Sequence, residues 1–306
     1  MKKLTKSTLD EAKHLIEKEG RKLEKYRFKN FFQKRSEDRV EEELRTYQNE
    51  DGGFGNALEP DFRLPDSSPL ATSIGLRYLG KVDTTLTSED MIESAIRYLE
   101  QTFDKDRKIW FSVPKKVNQY PHTWWWHYDK EDGMTIIDKN WGNPSAEIIG
   151  YLYKYRNYTK IIDVDRLIDH AINYIRKKDK FESENEVYCF IHLYEEVSRG
   201  NKKRLENHIS RAVEQLVVYD EDKWDEYVPK PLDFVDHPDK NKFDIEKAKI
   251  EKNLEFVVDK LEKDSILEPS WDTSVYKDKM EPAYNEWKGI LTLEALKILN
   301  NYELIE

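Results

Sequence analysis

Only one cysteine occurs in 306 residues, Cys189, so neither an intrachain disulfide nor a zinc site built from several thiolates is possible. Long apolar runs are missing too, and no stretch approaches the roughly 20 apolar residues of a membrane-spanning helix. The opening Met1-Lys2-Lys3-Leu4-Thr5-Lys6 turns polar at once, without the apolar segment of about 7–15 residues that a signal peptide needs. A cytoplasmic protein is the expectation. Basic charge is outweighed: 51 Lys and Arg stand against 61 Asp and Glu, a formal net charge of −10. That balance argues against a nucleic-acid partner or an anionic-membrane surface, either of which wants a basic face. Basic runs such as Lys177-Lys178-Asp179-Lys180 read as solvated helix ends. No series of short alternating segments bounded by turn pairs occurs, so no β-sheet is expected.

What is present is aromatic and helical. Eight Trp, 18 Tyr and 12 Phe are too many for a disordered chain. Many of these rings fall in turn-rich stretches rather than helical stripes, as in a lined cavity. Helical periodicity dominates. Thr8 with Glu11 forms a capping box for a helix with Leu9, Ala12, Leu15, Ile16 and Leu23 on one face. Further helices are expected over about 36–48, 68–80, 88–103 behind a Thr87/Asp90 cap, 144–157, 163–177, 183–198, 203–219, 245–262 and 284–302. The fold class is all-α.

The connections alternate in length. Those after 80, 157 and 198 are short and make helical hairpins. Those at 49–67, 104–143, 220–244 and 263–283 are long and rich in Pro, Gly, Trp, Asp and Glu. In a ring of hairpins, connections of one kind gather at one end. The expected architecture is therefore an α/α toroid, a single domain over 1–306, with the long connections on one face. Pro231–Val235 stands in for a short inner element where the alternation breaks.

Three loop segments echo one another: Leu58-Glu59-Pro60-Asp61-Phe62, Leu267-Glu268-Pro269-Ser270-Trp271 and, more weakly, Pro231-Leu232-Asp233-Phe234. Each enters a helix, as a degenerate hairpin repeat would. Gln48-Asn49-Glu50-Asp51-Gly52-Gly53-Phe54-Gly55, between two helices, resembles the QW-type repeat of the terpenoid cyclase and protein prenyltransferase superfamily. The resemblance implies that Gln48 caps a helix end, that Asp51-Gly52-Gly53 makes a tight turn, and that Phe54 packs on the next repeat. Paired glycines permit the positive φ such a turn needs. Trp287–Thr292 looks like the helix after the final repeat. Residues 49–79, Tyr120-Pro121-His122 with Trp124–Trp126, and Asn143–Glu147 resemble a bacterial group of prenyltransferase-like proteins.

The superfamily's chemistry is not carried over with the fold. Its Asp-x-Asp-Asp acid is absent, and Asp163-Val164-Asp165 and Asp220-Glu221-Asp222 sit at helix edges as ordinary caps. No Asp-rich motif holds magnesium diphosphate. The prenyltransferase zinc site places an Asp two residues before its Cys, where this chain has Val187, so no metal site is expected and Cys189 reads as a small buried residue.

Four clusters are candidates for a site. Glu59, Asp61, Arg63 and Asp66 share the first long loop; they bind a ligand or hold the loop through internal ion pairs. A carboxyl among them facing a ring-lined cavity would be a competent acid. In the second, His122, Trp124, Trp125, Trp126 and His127, three adjacent tryptophans cannot all enter one core, and at least one lines a mouth where it can stack on a sugar or a cation. The spacing of five between the histidines rules out a helical metal pair. The third is Trp141, Asn143 and Glu147, the last two explicable as capping. The fourth is Glu268, Trp271, Asp272, Glu281, Tyr284 and Trp287. The expected catalytic groups are Glu59, Asp61 and Asp272. Three functions compete. The first is a hydrophobic or isoprenoid small molecule in a central cavity, with helix N-termini favouring a diphosphate. The second is a glycosidase-like enzyme with two carboxyls about 5–9.5 Å apart. The third is a non-catalytic binding or scaffold protein.

Overall fold

The computed structural model describes the chain except for Ser36, Asp83, Thr84 and the Glu37 side chain. Among the described residues twelve α-helices form and no β-strand does. They are α1 (Lys6–Glu19), α2 (Lys22–Gln33), α3 (Glu37–Arg45), α4 (Pro69–Leu79), α5 (Leu86–Thr102) and α6 (Gly142–Lys154). Then follow α7 (Val164–Lys177), α8 (Glu184–Glu196), α9 (Arg199–Leu216), α10 (Pro231–Phe234), α11 (Lys247–Asp264) and α12 (Glu281–Asn301). None of the described helices is long and apolar enough to cross a membrane. The chain divides into two compact units, 1–40 with 216–306, and 41–215.

In the unit of residues 41–215, α4, α6 and α8 pack in succession, with α5 against α4 and α7 against α6. Burial explains the order. Every residue of α4 but Arg77 is buried, and so is α6 from Gly142 to Leu152. A helix apolar on all sides needs neighbours all round. The polar Thr72 and Ser73 of α4 are satisfied locally, their hydroxyls donating to the carbonyls of Ser68 and Leu70 at 2.8 Å each. By contrast α7 buries one stripe, Leu167, Ile168, Ala171, Ile172 and Ile175.

In the other unit α1 packs on α2 and α12, α11 meets α1 and α12, and α10 lies on α11. Leu4 and Ile305 form a parallel bridge, with Leu4 N–H donating to Leu304 O at 2.8 Å. The short Pro231–Phe234 helix falls where the alternation of connections called for a short inner element.

Several ends differ from expectation. Helix α1 begins at Lys6, capped by Thr5, whose Oγ1 accepts from Thr8 N–H at 3.3 Å; Thr8 is buried inside the first turn rather than capping it. Helix α2 was not expected, because its buried Glu24 and Arg27 look like surface residues until paired with each other and, through Arg27, with Glu294. The cap of α5 is Thr85 with Ser88, in a reciprocal box at 3.1 and 2.8 Å, not Thr87 with Asp90. Lys178 is no solvated end, since its ammonium pairs with the buried Glu186. Asp163 and Asp220 do cap, accepting from Arg166 and Asp222 N–H.

The long 104–143 connection is pinned by Asp138, whose carboxylate accepts from Ser112 N–H (2.7 Å), Thr135 N–H (2.9 Å) and the Thr135 hydroxyl (2.8 Å). Glu100 similarly receives three successive N–H groups, Lys160, Ile161 and Ile162, on one oxygen. Cys189 is buried, and burial pushes its thiol well above the ordinary range. A thiol reagent added to the native chain is expected to leave it unmodified, with full labelling only in denaturant; fast native labelling would contradict its placement.

Candidate functional site

The first long loop is built as a clamp on α5. Gly52 adopts φ +88°, and the Gln48 carboxamide donates to Gly52 O and to Met91 O, each at 2.9 Å. Asp51 accepts from Gly53 N–H (3.0 Å) and from the Ser67 hydroxyl (2.7 Å). Phe54 is fully buried and lies against Gly75 of α4. The Asp51-Gly52-Gly53 turn is present, and Phe54 packs on α4. Of the two glycines Gly52 alone uses a positive φ; Gly53 is small because a Cβ there would meet Ser67 at 2.6 Å.

Beyond this turn two segments join. Phe62 and His122 form an antiparallel bridge, Arg63 N–H donates to Pro121 O (2.8 Å), and Thr123 N–H donates to Asp61 O (2.9 Å). The Phe62 ring meets Trp126 edge to face at 5.7 Å. The structure thus brings together Glu59, Asp61 and Arg63 from the first cluster with His122, Trp126 and His127 from the second. Glu59 and Asp61 are 7% and 5% exposed, and Glu59 Oε1 accepts from Asp61 N–H at 3.3 Å. Arg63 donates to Pro60 O at 3.4 Å. Asp66 turns away to an exposed pair with Lys116 at 2.6 Å, which raises the lysine's pKa.

The three tryptophans diverge as sterics required. They form one 3₁₀ turn in which Trp126 N–H donates to Thr123 O at 3.1 Å. Trp124 is 62% exposed, Trp125 is half-buried and perpendicular to it, and Trp126 is 7% exposed. The Trp126 indole N–H and the Thr123 hydroxyl, 2% exposed as a residue, are buried without a hydrogen-bond partner. Thr123 had no signal in the sequence; its importance comes only from where the bridge to residue 61 puts it.

The two histidines are hydrogen-bonded to each other. A carbonyl only accepts, so His122 donates from Nδ1 to Tyr120 O at 2.7 Å. Its Nε2 lies 3.1 Å from His127 Nδ1, and the Asn118 amide lies 3.4 Å from His127 Nε2. The rings stack at 5.4 Å.

The other candidates lie elsewhere. Trp141 packs on His170, Tyr174 and Phe190, its N–H donating to Lys108 O at 2.8 Å. Asn143 has a cap-like extended backbone (φ −105°, ψ 109°), yet its oxygen faces Cys189 Sγ at 3.8 Å instead of capping. Nor does Glu147 cap: its carboxylate takes two hydrogen bonds from Arg77 at 2.8 and 2.7 Å and one from the Tyr151 hydroxyl at 2.9 Å.

Glu268, Trp271, Asp272, Glu281, Tyr284 and Trp287 belong to the other unit. Trp271 meets Trp287 edge to face at 5.1 Å and Tyr227 at 5.8 Å, and its N–H donates to the Tyr276 hydroxyl at 2.7 Å. Burial, then the hydrogen bond to Glu268, raises the Tyr284 pKa. Asp272 is exposed and caps the 273–275 turn, its pKa lowered by the side-chain and backbone hydrogen bonds of Ser274. Among the described residues, no three His, Cys, Asp or Glu side chains converge as a group able to hold a metal ion. Comparison with protein-family models, curated proteins and solved structures returned no match.

Proposed function

We propose that this chain is a small-molecule-binding protein of the α/α toroid type, with its ligand seated where residues 58–63 meet residues 118–128. One observation carries the reading: the Trp126 indole N–H and the Thr123 hydroxyl are buried and unpaired in the same junction as the buried carboxyls of Glu59 and Asp61. Buried polar atoms are nearly always satisfied, so two without partners in one loop junction are the support for an outside group that completes the network. The exposed Trp124 ring, next in the chain, adds a contact surface. Closure into a single ring of hairpins is part of the proposal. Its support is the succession α4, α6, α8 with α5 and α7 behind it, and the Gln48–Gly55 turn.

In this reading Glu59 and Asp61 are the acid–base candidates, and Arg63, His122, Trp124, Trp125 and His127 surround the ligand. That turn also favours a second reading, an isoprenoid ligand, because its sequence resembles the repeat of cyclases and prenyltransferases. A thermal-shift series with farnesyl diphosphate, farnesol, neutral oligosaccharides and divalent ions separates these. One class is expected to raise Tm saturably, by on the order of 5 °C at a hundredfold excess over Kd. The rise should vanish in Trp126→Phe. Silence from every class would leave a scaffold protein as the better description.

A further inference from the structure

The two open atoms of this junction fix what their partner must offer, an inference that rests on the binding reading above. We infer that the ligand anchors through an acceptor oxygen, that of a carbonyl, carboxylate or phosphoryl group. That oxygen takes one hydrogen bond from Trp126 Nε1–H and a second from the Thr123 hydroxyl.

Local geometry puts the two side chains together. Thr123 holds the N-cap position of the Trp124–Trp126 turn, and Trp126 holds the third position inside it. These are the two places whose side chains adjoin in a capping box. A threonine at an N-cap ordinarily turns its oxygen toward the amides of the turn. Thr123 makes no such bond, and its carbonyl, not its hydroxyl, takes the Trp126 backbone N–H at 3.1 Å. Both residues are held in place, Thr123 by its N–H on Asp61 O (2.9 Å) and Trp126 by the edge-to-face contact with Phe62. Neither open atom has the other as its partner.

Donor and acceptor roles then decide the class. The indole N–H only donates, and the threonine hydroxyl has one proton to give as well as lone pairs. An acceptor oxygen with two lone pairs answers both atoms at once, the hydroxyl donating. An ammonium group reaches the hydroxyl alone and leaves the indole unpaired. A bare hydrocarbon chain leaves both open, at the cost of an unmade hydrogen bond for each. These two atoms set the requirement by themselves, whatever the pairing of Glu59, Asp61 and Arg63. They ask for a lone pair rather than a charge, so a neutral carbonyl and an anion share the needed chemistry.

The test uses the full chain labelled with ¹⁵N, reading the indole N–H resonances, with Trp126 assigned through Trp126→Phe. Probes come in sets that change the head on one chain: methyl farnesoate, farnesoic acid, farnesyl diphosphate and farnesylamine, then succinate and putrescine. Chitotetraose adds a saccharide bearing amide carbonyls. An acceptor-headed probe is expected to move the Trp126 indole downfield and saturably, while the amine on the same chain leaves it still. Movement with methyl farnesoate or chitotetraose marks a neutral carbonyl; movement with the acids or the diphosphate alone marks an anion. Thr123→Val should weaken that probe about tenfold, and Thr123→Ser, which keeps the hydroxyl, by less than about threefold. An amine that moves the indole as far as its acid or ester counterpart overturns the acceptor class and keeps the binding junction. Equal losses in Thr123→Val and Thr123→Ser overturn the two-point contact. A still indole with every probe leaves water as the partner and overturns this inference and the binding reading together.

Discussion

Glu147→Ala is expected to lower the unfolding free energy by about 3 kcal/mol at neutral pH. Glu147 is 1% exposed on α6, and its carboxylate is shared between the Arg77 guanidinium of α4 and the Tyr151 hydroxyl. Removing one member of a buried pair leaves the other charge uncompensated, at a cost of about 3–5 kcal/mol. The low end applies because the Arg77 side chain is 33% exposed and water can partly replace the lost partner. The pH dependence has a defined sign. Burial pushes the Glu147 carboxyl up, but Arg77, aided by His192 and Tyr151, overrides it and holds the group at about 2, below the ordinary 4.5. A depressed carboxylate contributes stability that is fully present above pH 4.5 and is lost as pH falls toward 2. The span corresponds to roughly 3 kcal/mol at 1.36 kcal/mol per unit. Urea unfolding of the parent chain should show this acid loss, and Glu147→Gln should flatten it. A change below about 1 kcal/mol at pH 7 would mean that the pair acts like an exposed one.

The second large effect is at the turn. Gly52→Ala is expected to cost more than about 3 kcal/mol, from two separable sources. The backbone sits at φ +88°, where an alanine is strained, and its Cβ would lie 2.4 Å from the Ser94 carbonyl oxygen of α5. A carbonyl inside a helix cannot move aside without breaking the helix's own hydrogen bond. Gly133→Ala is the control, since it shares a positive φ (+69°) but its Cβ would find only the Tyr128 hydroxyl at 3.8 Å. It should cost about 1 kcal/mol, the strain alone. Equal losses in the two variants would show that the Gly52 turn is not clamped on α5 as described. Thermal or urea melts of both variants decide this.

These two pairs of residues also mark how far the chain could be read before folding. Gly52 was recognisable from the Gln48–Gly55 run alone, because a tight turn after a helix is a local event whose residues are neighbours. Helices α4 and α7 were legible for the same reason: Pro69 opens one, Asp163 caps the other, and the 3.6-residue repeat of apolar side chains is carried inside each segment. Helix α2 was not, since its buried Glu24 and Arg27 make sense only with Glu294, some 270 residues away.

The candidate site divides along the same line. Sequence patterning by itself determined an all-helical chain, the long connections with their acids and rings, and the rule that three successive tryptophans must part company. Tertiary structure alone decided which tryptophan is buried, that Thr123 joins Trp126 as an open polar group, and that Glu147 answers Arg77 instead of capping its own helix. The physical reason is range: periodicity and capping act over about four residues, whereas burial and ion pairing are settled by segments that meet only after the chain has folded.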